Sequence, residues 1–155
     1  MMRSRFTDYK SYADATLNDI FSTAELQGAG HLTANTLATT MFLSDRSGKL
    51  HEAKLPVEVQ FSPVFVITPL DYDKDGITDL LFCGNIDNAR LRFGKADANF
   101  GLLLRGDKNG SFATVSQKES GFNLSGDVRS VITIGDKILF GINQQPMRTY
   151  QLNSR

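Results

Sequence analysis

Two runs of strand-forming residues, Val64-Phe-Val-Ile-Thr68 and Leu80-Leu-Phe82, flank the segment Asp71-Tyr-Asp73-Lys-Asp75-Gly76-Ile77-Thr-Asp79. Its first five residues hold three carboxylates, which repel one another unless a cation neutralises them. Carboxylates at alternate positions can wrap one ion only where the backbone curls tightly, and Gly76 supplies the curl. Calcium takes about six to eight hard oxygen ligands, whereas magnesium prefers few carboxylates and keeps its waters, so Ca2+ is the better match. In such a cage Asp71, Asp73 and Asp75 are the first carboxylate ligands, Ile77 contributes its carbonyl and Asp79 closes the set. The competing readings are a solvated acidic turn without an ion and a catalytic carboxylate pair of the glycoside-hydrolysing kind. The regular spacing about Gly76 suits a cage better than an acid–base pair. A site made from one short loop is filled by the protein plus a water, so the ion's role is structural.

An EF-hand does not fit. Its loop ends on a bidentate glutamate, where this chain has Phe82, and it needs flanking helices. The flanks here are strand-like, which predicts a loop between two neighbouring strands.

One stretch has helical spacing. Tyr12, Leu17, Ile20, Phe21 and Leu26 recur every three to five residues or so, predicting one helix or two short ones over residues 8–27. Asp8 or Asp14 caps the start, and Gly28-Ala-Gly30 ends it. From about residue 35 the grammar changes to short strands and turns. Strands are predicted over 37–43, 49–53, 64–68, 78–83, 100–105, 112–116, 128–134, 137–141 and 147–152. Asp45-Arg-Ser-Gly48 and Asp107-Lys-Asn-Gly110 lack a later aspartate and read as hairpin turns. Each precedes a similar tripeptide, Gly48-Lys-Leu50 and Gly110-Ser-Phe112, a weak internal repeat that favours a propeller over a sandwich. Residues 85–99 are polar and read as a long loop, in which Arg90, Arg92 and Lys95 offer cationic contacts to an anionic partner or a glycan.

Charge and composition narrow the function. Lys plus Arg and Asp plus Glu number 17 each, so the chain lacks the basic footprint that nucleic acid demands. No apolar run is long enough for a transmembrane helix, and Met1-Met-Arg-Ser-Arg5 leads into no signal-peptide core. The chain is therefore either cytoplasmic or cut from a longer precursor. The single cysteine, Cys83, sits in an apolar run and reads as a buried thiol. His31 and His51 have no recognisable spacing to it as a catalytic or metal-binding set.

Asp71–Asp79 followed by Leu80-Leu-Phe-Cys-Gly84 resembles the FG-GAP/VCBS repeat of integrin α-chain propellers and bacterial surface proteins. Leu55–Pro63, Gly84-Asn85, Gly101–Gly106 and Gly126–Arg129 look like the C-terminal blades of the cartilage acidic protein/UnbV-type group. The resemblance implies a mainly β fold of antiparallel β-propeller blades with a short N-terminal helical segment. It divides the chain into a lead-in over 1–34 and blades over 35–155. About two to three blades are present, fewer than a closed ring needs, which implies a partial propeller, the C-terminal fragment of a longer chain. It further implies a calcium-stabilised, non-enzymatic module of an exported bacterial protein, periplasmic or on the cell surface. Such a module binds a protein or glycan ligand or acts as a scaffold, and its exposed blade edges invite self-association. The alternative is part of a polysaccharide-acting enzyme or its carbohydrate-binding module, although no Ser-His-Asp set, phosphate loop or histidine cluster is present.

Overall fold

The computed structural model describes residues 6–89, 92 and 94–152. The chain divides into two compact units, Met1–Leu37 and Ala38–Arg155.

Among the described residues the first unit holds three short helices, α1 (Tyr9–Ala13), α2 (Leu17–Ile20) and α3 (Thr23–Leu26). This corrects the expectation of one or two helices over 8–27. The cause is local. Asp8 caps α1 by accepting from the Ser11 N–H at 2.8 Å. Asp19 and Glu25 then reach back to the N–H groups of Thr16 and Ser22, at 2.8 and 2.9 Å. Each cap restarts a helix where a continuous one would have had to run through it. None of the described residues here is buried, and Leu17 is 61% exposed, so the apolar spacing does not build a core.

The second unit is mainly β. It opens with the hairpin β1 (Met41–Ser44) and β2 (Leu50–Ala53), followed by a 3₁₀ turn, Val57–Gln60. A four-stranded meander follows: β3 (Val64–Leu70), β4 (Asp79–Gly84), β5 (Leu102–Gly106) and β6 (Phe112–Thr114). Helix α4 (Gln117–Ser120) leads to a three-stranded meander of β7 (Val128–Ile134), β8 (Lys137–Ile142) and β9 (Arg148–Gln151). Every strand pair is antiparallel. Among the described residues no sheet closes on itself. Two expectations need correction. Residues 37–40 are not strand, β1 beginning only at Met41, and α4 and the 3₁₀ turn were not foreseen. Helix α4 is a single turn, capped by Ser116 and ended by Gly121 in the left-handed region.

Burial explains the composition of each strand. β4 has both faces covered, so it reads as a continuous apolar run after Asp79. Leu81 and Cys83 join Leu103, Phe122, Leu124, Val128, Ile138 and Phe140 in the larger core. On the opposite face Phe82 and Leu104 pack with Val59, which the 3₁₀ turn supplies. β8 is covered on one face only and alternates, Ile138, Phe140 and Ile142 being buried. Pro69 is accommodated because β3 pairs on one side only.

The two meanders share a register. In β3 the ladder shifts between Val64 and Val66, opposite Gly84 and Cys83. In β7 it shifts between Val128 and Ser130, opposite Ile142 and Gly141. The residues at the two bulges, Phe65 and Arg129, meet each other, the guanidinium lying 3.9 Å from the ring centroid. Superposing the ladders on these bulges aligns Leu80-Leu-Phe82 with Ile138-Leu-Phe140, and Asn85 with Asn143. The Leu81/Cys83 face of one sheet thus packs on the face of the next that corresponds to its own Leu80/Phe82 face. The sheets stack front to back.

Candidate metal centre

The acidic segment is the turn between β3 and β4, closed by the pairing of Leu70 with Asp79. Two residues with positive φ curl it, Lys74 at 61° and Gly76 at 81°. Each carboxylate has a distinct set of partners. Asp71 accepts from the N–H groups of Asp75 and Gly76, at 3.1 and 3.0 Å. Asp79 is buried and joins two strands: Oδ2 accepts from the Tyr72 N–H at 2.8 Å and Oδ1 from the Gly106 N–H at 2.9 Å. Gly106 allows this approach because a Cβ there would lie 2.2 Å from the Thr78 carbonyl oxygen.

Asp73 differs. Its Oδ2 lies 2.9 Å from Nε of Arg105, a charge contact in which the N–H is not aligned for a hydrogen bond. Its Oδ1 is buried and has no hydrogen-bond partner. The Arg105 guanidinium also donates to Glu119 Oε1 at 3.0 Å. That bond, with the negative charges of Glu119, Asp73 and Asp79, holds the Arg105 pKa above its ordinary value. Tyr72 strengthens the link to α4, its hydroxyl donating to the carbonyls of Glu119 and Ser120 at 2.9 and 3.4 Å.

Asp71, Asp73 and Asp79 form a group that could hold a metal ion, each offering an oxygen within 4.8 Å of the others. The donor set is all hard oxygen, and the unpartnered Asp73 Oδ1 is the kind of atom a cation would satisfy, so the residues fit a group-2 ion. Asp75 lies outside that group of carboxylates, its Oδ1 accepting from the Ile77 N–H at 2.7 Å. Ile77 therefore enters the hydrogen bonding of the loop through its N–H.

Other candidates are placed as follows. Cys83 is fully buried, and burial pushes its thiol up to about 12, leaving it inert at neutral pH. His51 lies 3.0 Å from Asp45 across the β1–β2 hairpin, and His31 is exposed. In the 85–99 segment, Ile86 pairs with Ala96 and the flanking Asn85 and Asn99 are buried. Asn85 holds both ends, with Oδ1 accepting from the Ser62 hydroxyl and the Asn99 N–H and Nδ2 donating to the Asn99 carbonyl. Arg92 and Lys95 are exposed, while Arg90 lies outside the described residues. Among the described residues no helix is long and apolar enough to cross a membrane.

The sequence reading missed Arg105. Its one signal is a lone charge in the otherwise apolar Leu102–Gly106 strand. No protein-family model, no curated protein and no solved structure matches the chain.

Proposed function

We propose that the chain is a non-enzymatic, calcium-stabilised β-repeat module of the FG-GAP/VCBS propeller kind, serving an exported bacterial protein as a scaffold or as a binder of a protein or glycan. The observation that carries this reading is the trio Asp71, Asp73 and Asp79 at a strand–strand corner, with a buried carboxylate oxygen lacking a partner. The front-to-back stacking of two meanders with matching bulges supports the repeat character. Three carboxylates from a single loop suit the weak calcium affinities of extracellular modules, on the order of 0.1–1 mM, which favours the periplasm or the cell surface. The cation joins β3 to β4, and through Asp79 it reaches β5.

Thermal melting with and without calcium tests the proposal. A ligand that binds the native state alone raises the midpoint with concentration. A midpoint indifferent to calcium up to several Kd values of that order would refute the calcium reading. Self-association belongs to the same proposal. β7 is a sheet edge, and Ile132 and Ile134 are 56% and 60% exposed on its open face. Light scattering that finds only monomers at high concentration would remove it.

A further inference from the structure

We propose that Arg105 is a positioning residue for the cation, acting through Asp73; the inference rests on the calcium reading above. Two of the three carboxylates are set by backbone. Asp71 is held by N–H groups of its own loop, and Asp79 by those of Tyr72 and Gly106. Asp73 instead rests against a side chain from another strand, Arg105 Nε at 2.9 Å from Oδ2. That contact leaves Oδ1, buried and without a partner, as the oxygen available to an ion. Arg105 is itself anchored by Glu119 at 3.0 Å and is carried by β5, whose Gly106 N–H also orients Asp79. One strand therefore orients two of the three carboxylates.

A guanidinium near a cation has two opposed effects. Its charge repels the ion, and its contact orients the ligand. Glu119 decides between them. Because Arg105 is paired with Glu119, the net charge of the pair is close to zero and its repulsion of an ion falls off quickly, while the orientation of Asp73 is retained. Outer partners of metal ligands commonly govern affinity by about ten- to a hundredfold. Arg105→Gln is thus expected to weaken calcium binding about tenfold or more. A guanidinium that merely competed for the site would give the opposite sign, tighter binding on removal.

The test uses the full chain, with calcium titrated by calorimetry and terbium by luminescence sensitised through Tyr72, in a protein that has no tryptophan. The wild type, R105Q, R105K and E119Q are compared. Support consists of a tenfold or greater loss in R105Q, an intermediate loss in R105K, and a shorter terbium lifetime in H2O as water replaces a carboxylate oxygen. E119Q, which unmasks the guanidinium charge, weakens binding several-fold at unchanged lifetime. Metal-free melting temperatures close to wild type separate positioning from general damage. If R105Q does not fold, R105K carries the test, and wild-type affinity in R105K would overturn the inference. Equal or tighter binding in folded R105Q overturns it as well. Failure of the wild type itself to take up calcium or terbium would instead overturn the underlying calcium reading, and this inference with it.

Discussion

Among the described residues, three hairpin turns of the second unit begin with aspartate, and two of them explain themselves. In the β1–β2 turn Asp45 accepts from the N–H groups of Ser47 and Lys49, at 2.8 and 3.0 Å, and its own N–H donates to the Lys49 carbonyl. Asp107 repeats the pattern in the β5–β6 turn with Asn109 and Ser111, both at 2.8 Å. Gly48 and Gly110 supply the left-handed residue in each, at φ of 82° and 78°. One carboxylate per turn meets the backbone donors that the turn exposes, and nothing remains to be satisfied. The β3–β4 turn uses Asp71 in a similar way and then adds Asp73 and Asp79, of which Asp73 retains an oxygen without a donor. An aspartate at a turn is thus accounted for where its oxygens meet aligned donors. Asp73, whose buried Oδ1 meets none although Arg105 Nε lies close by, marks the candidate site.

Substitutions can break or sharpen that contrast. The largest effect belongs to Asp79→Ala, which leaves the N–H groups of Tyr72 and Gly106 without their acceptor at a buried position. The expected loss is on the order of 3 kcal/mol in urea unfolding without calcium, and larger in its presence because a ligand is lost as well. An unaltered midpoint would mean that water replaces the carboxylate. Asp73→Ala comes next and separates folding from binding. Its ion pair with Arg105 is partly solvent-exposed, so metal-free stability should move by less than about 1 kcal/mol. The calcium-dependent gain, about 2.7 kcal/mol at a hundredfold excess over Kd, should vanish. Retention of that gain would exclude Asp73 as a ligand.

Gly76→Ala and Gly48→Ala form a matched pair. A Cβ meets nothing at either position, so the cost is that of the left-handed backbone alone, about 1 kcal/mol each. Only the change at Gly76 should also lower calcium affinity; equal calcium responses in the two variants would erase the distinction between the turns. The smallest effects are those of Asp45→Ala and Asp107→Ala, a slight drop in melting temperature that calcium does not alter. Local hydrogen bonds depress both carboxyl pKa values, the Ser47 hydroxyl first for Asp45 and the Ser111 N–H first for Asp107. A depressed folded-state value stabilises above the unfolded value of 3.8 and loses that contribution as pH falls through the folded one. The gap between variant and wild type should therefore close below pH 3.8 in a pH series of melts, and a gap that widened there would contradict the sign.

The strands were largely legible because alternation and apolar runs are local signals. β7 has the predicted bounds, and β3, β4 and β8 differ at their ends. The helical expectation erred because periodicity says nothing of the caps that interrupt it, as Thr16 with Asp19 and Ser22 with Glu25 do. The weak repeat at Gly48 and Gly110 corresponds to hairpin turns. The fuller repeat, Val64–Asn85 against Val128–Asn143, was obscured by the longer turn that carries the acidic segment, and the bulges at Phe65 and Arg129 expose it through register. Asp71, Asp73 and Asp79 were readable from spacing; the turning of Asp75 to the Ile77 N–H was not.

Spacing settles what a carboxylate can reach within its own turn, so the acidic character of the β3–β4 corner, its curl at Gly76 and its strand-like flanks follow from the order of residues alone. Which oxygens stay free does not. That depends on Gly106 and Arg105, residues of β5 brought to the corner by the ladder between β4 and β5 and distant along the chain. Hydrogen bonds and ion pairs act over a few ångströms, and only the packed sheet converts so long a separation in sequence into contact at that range.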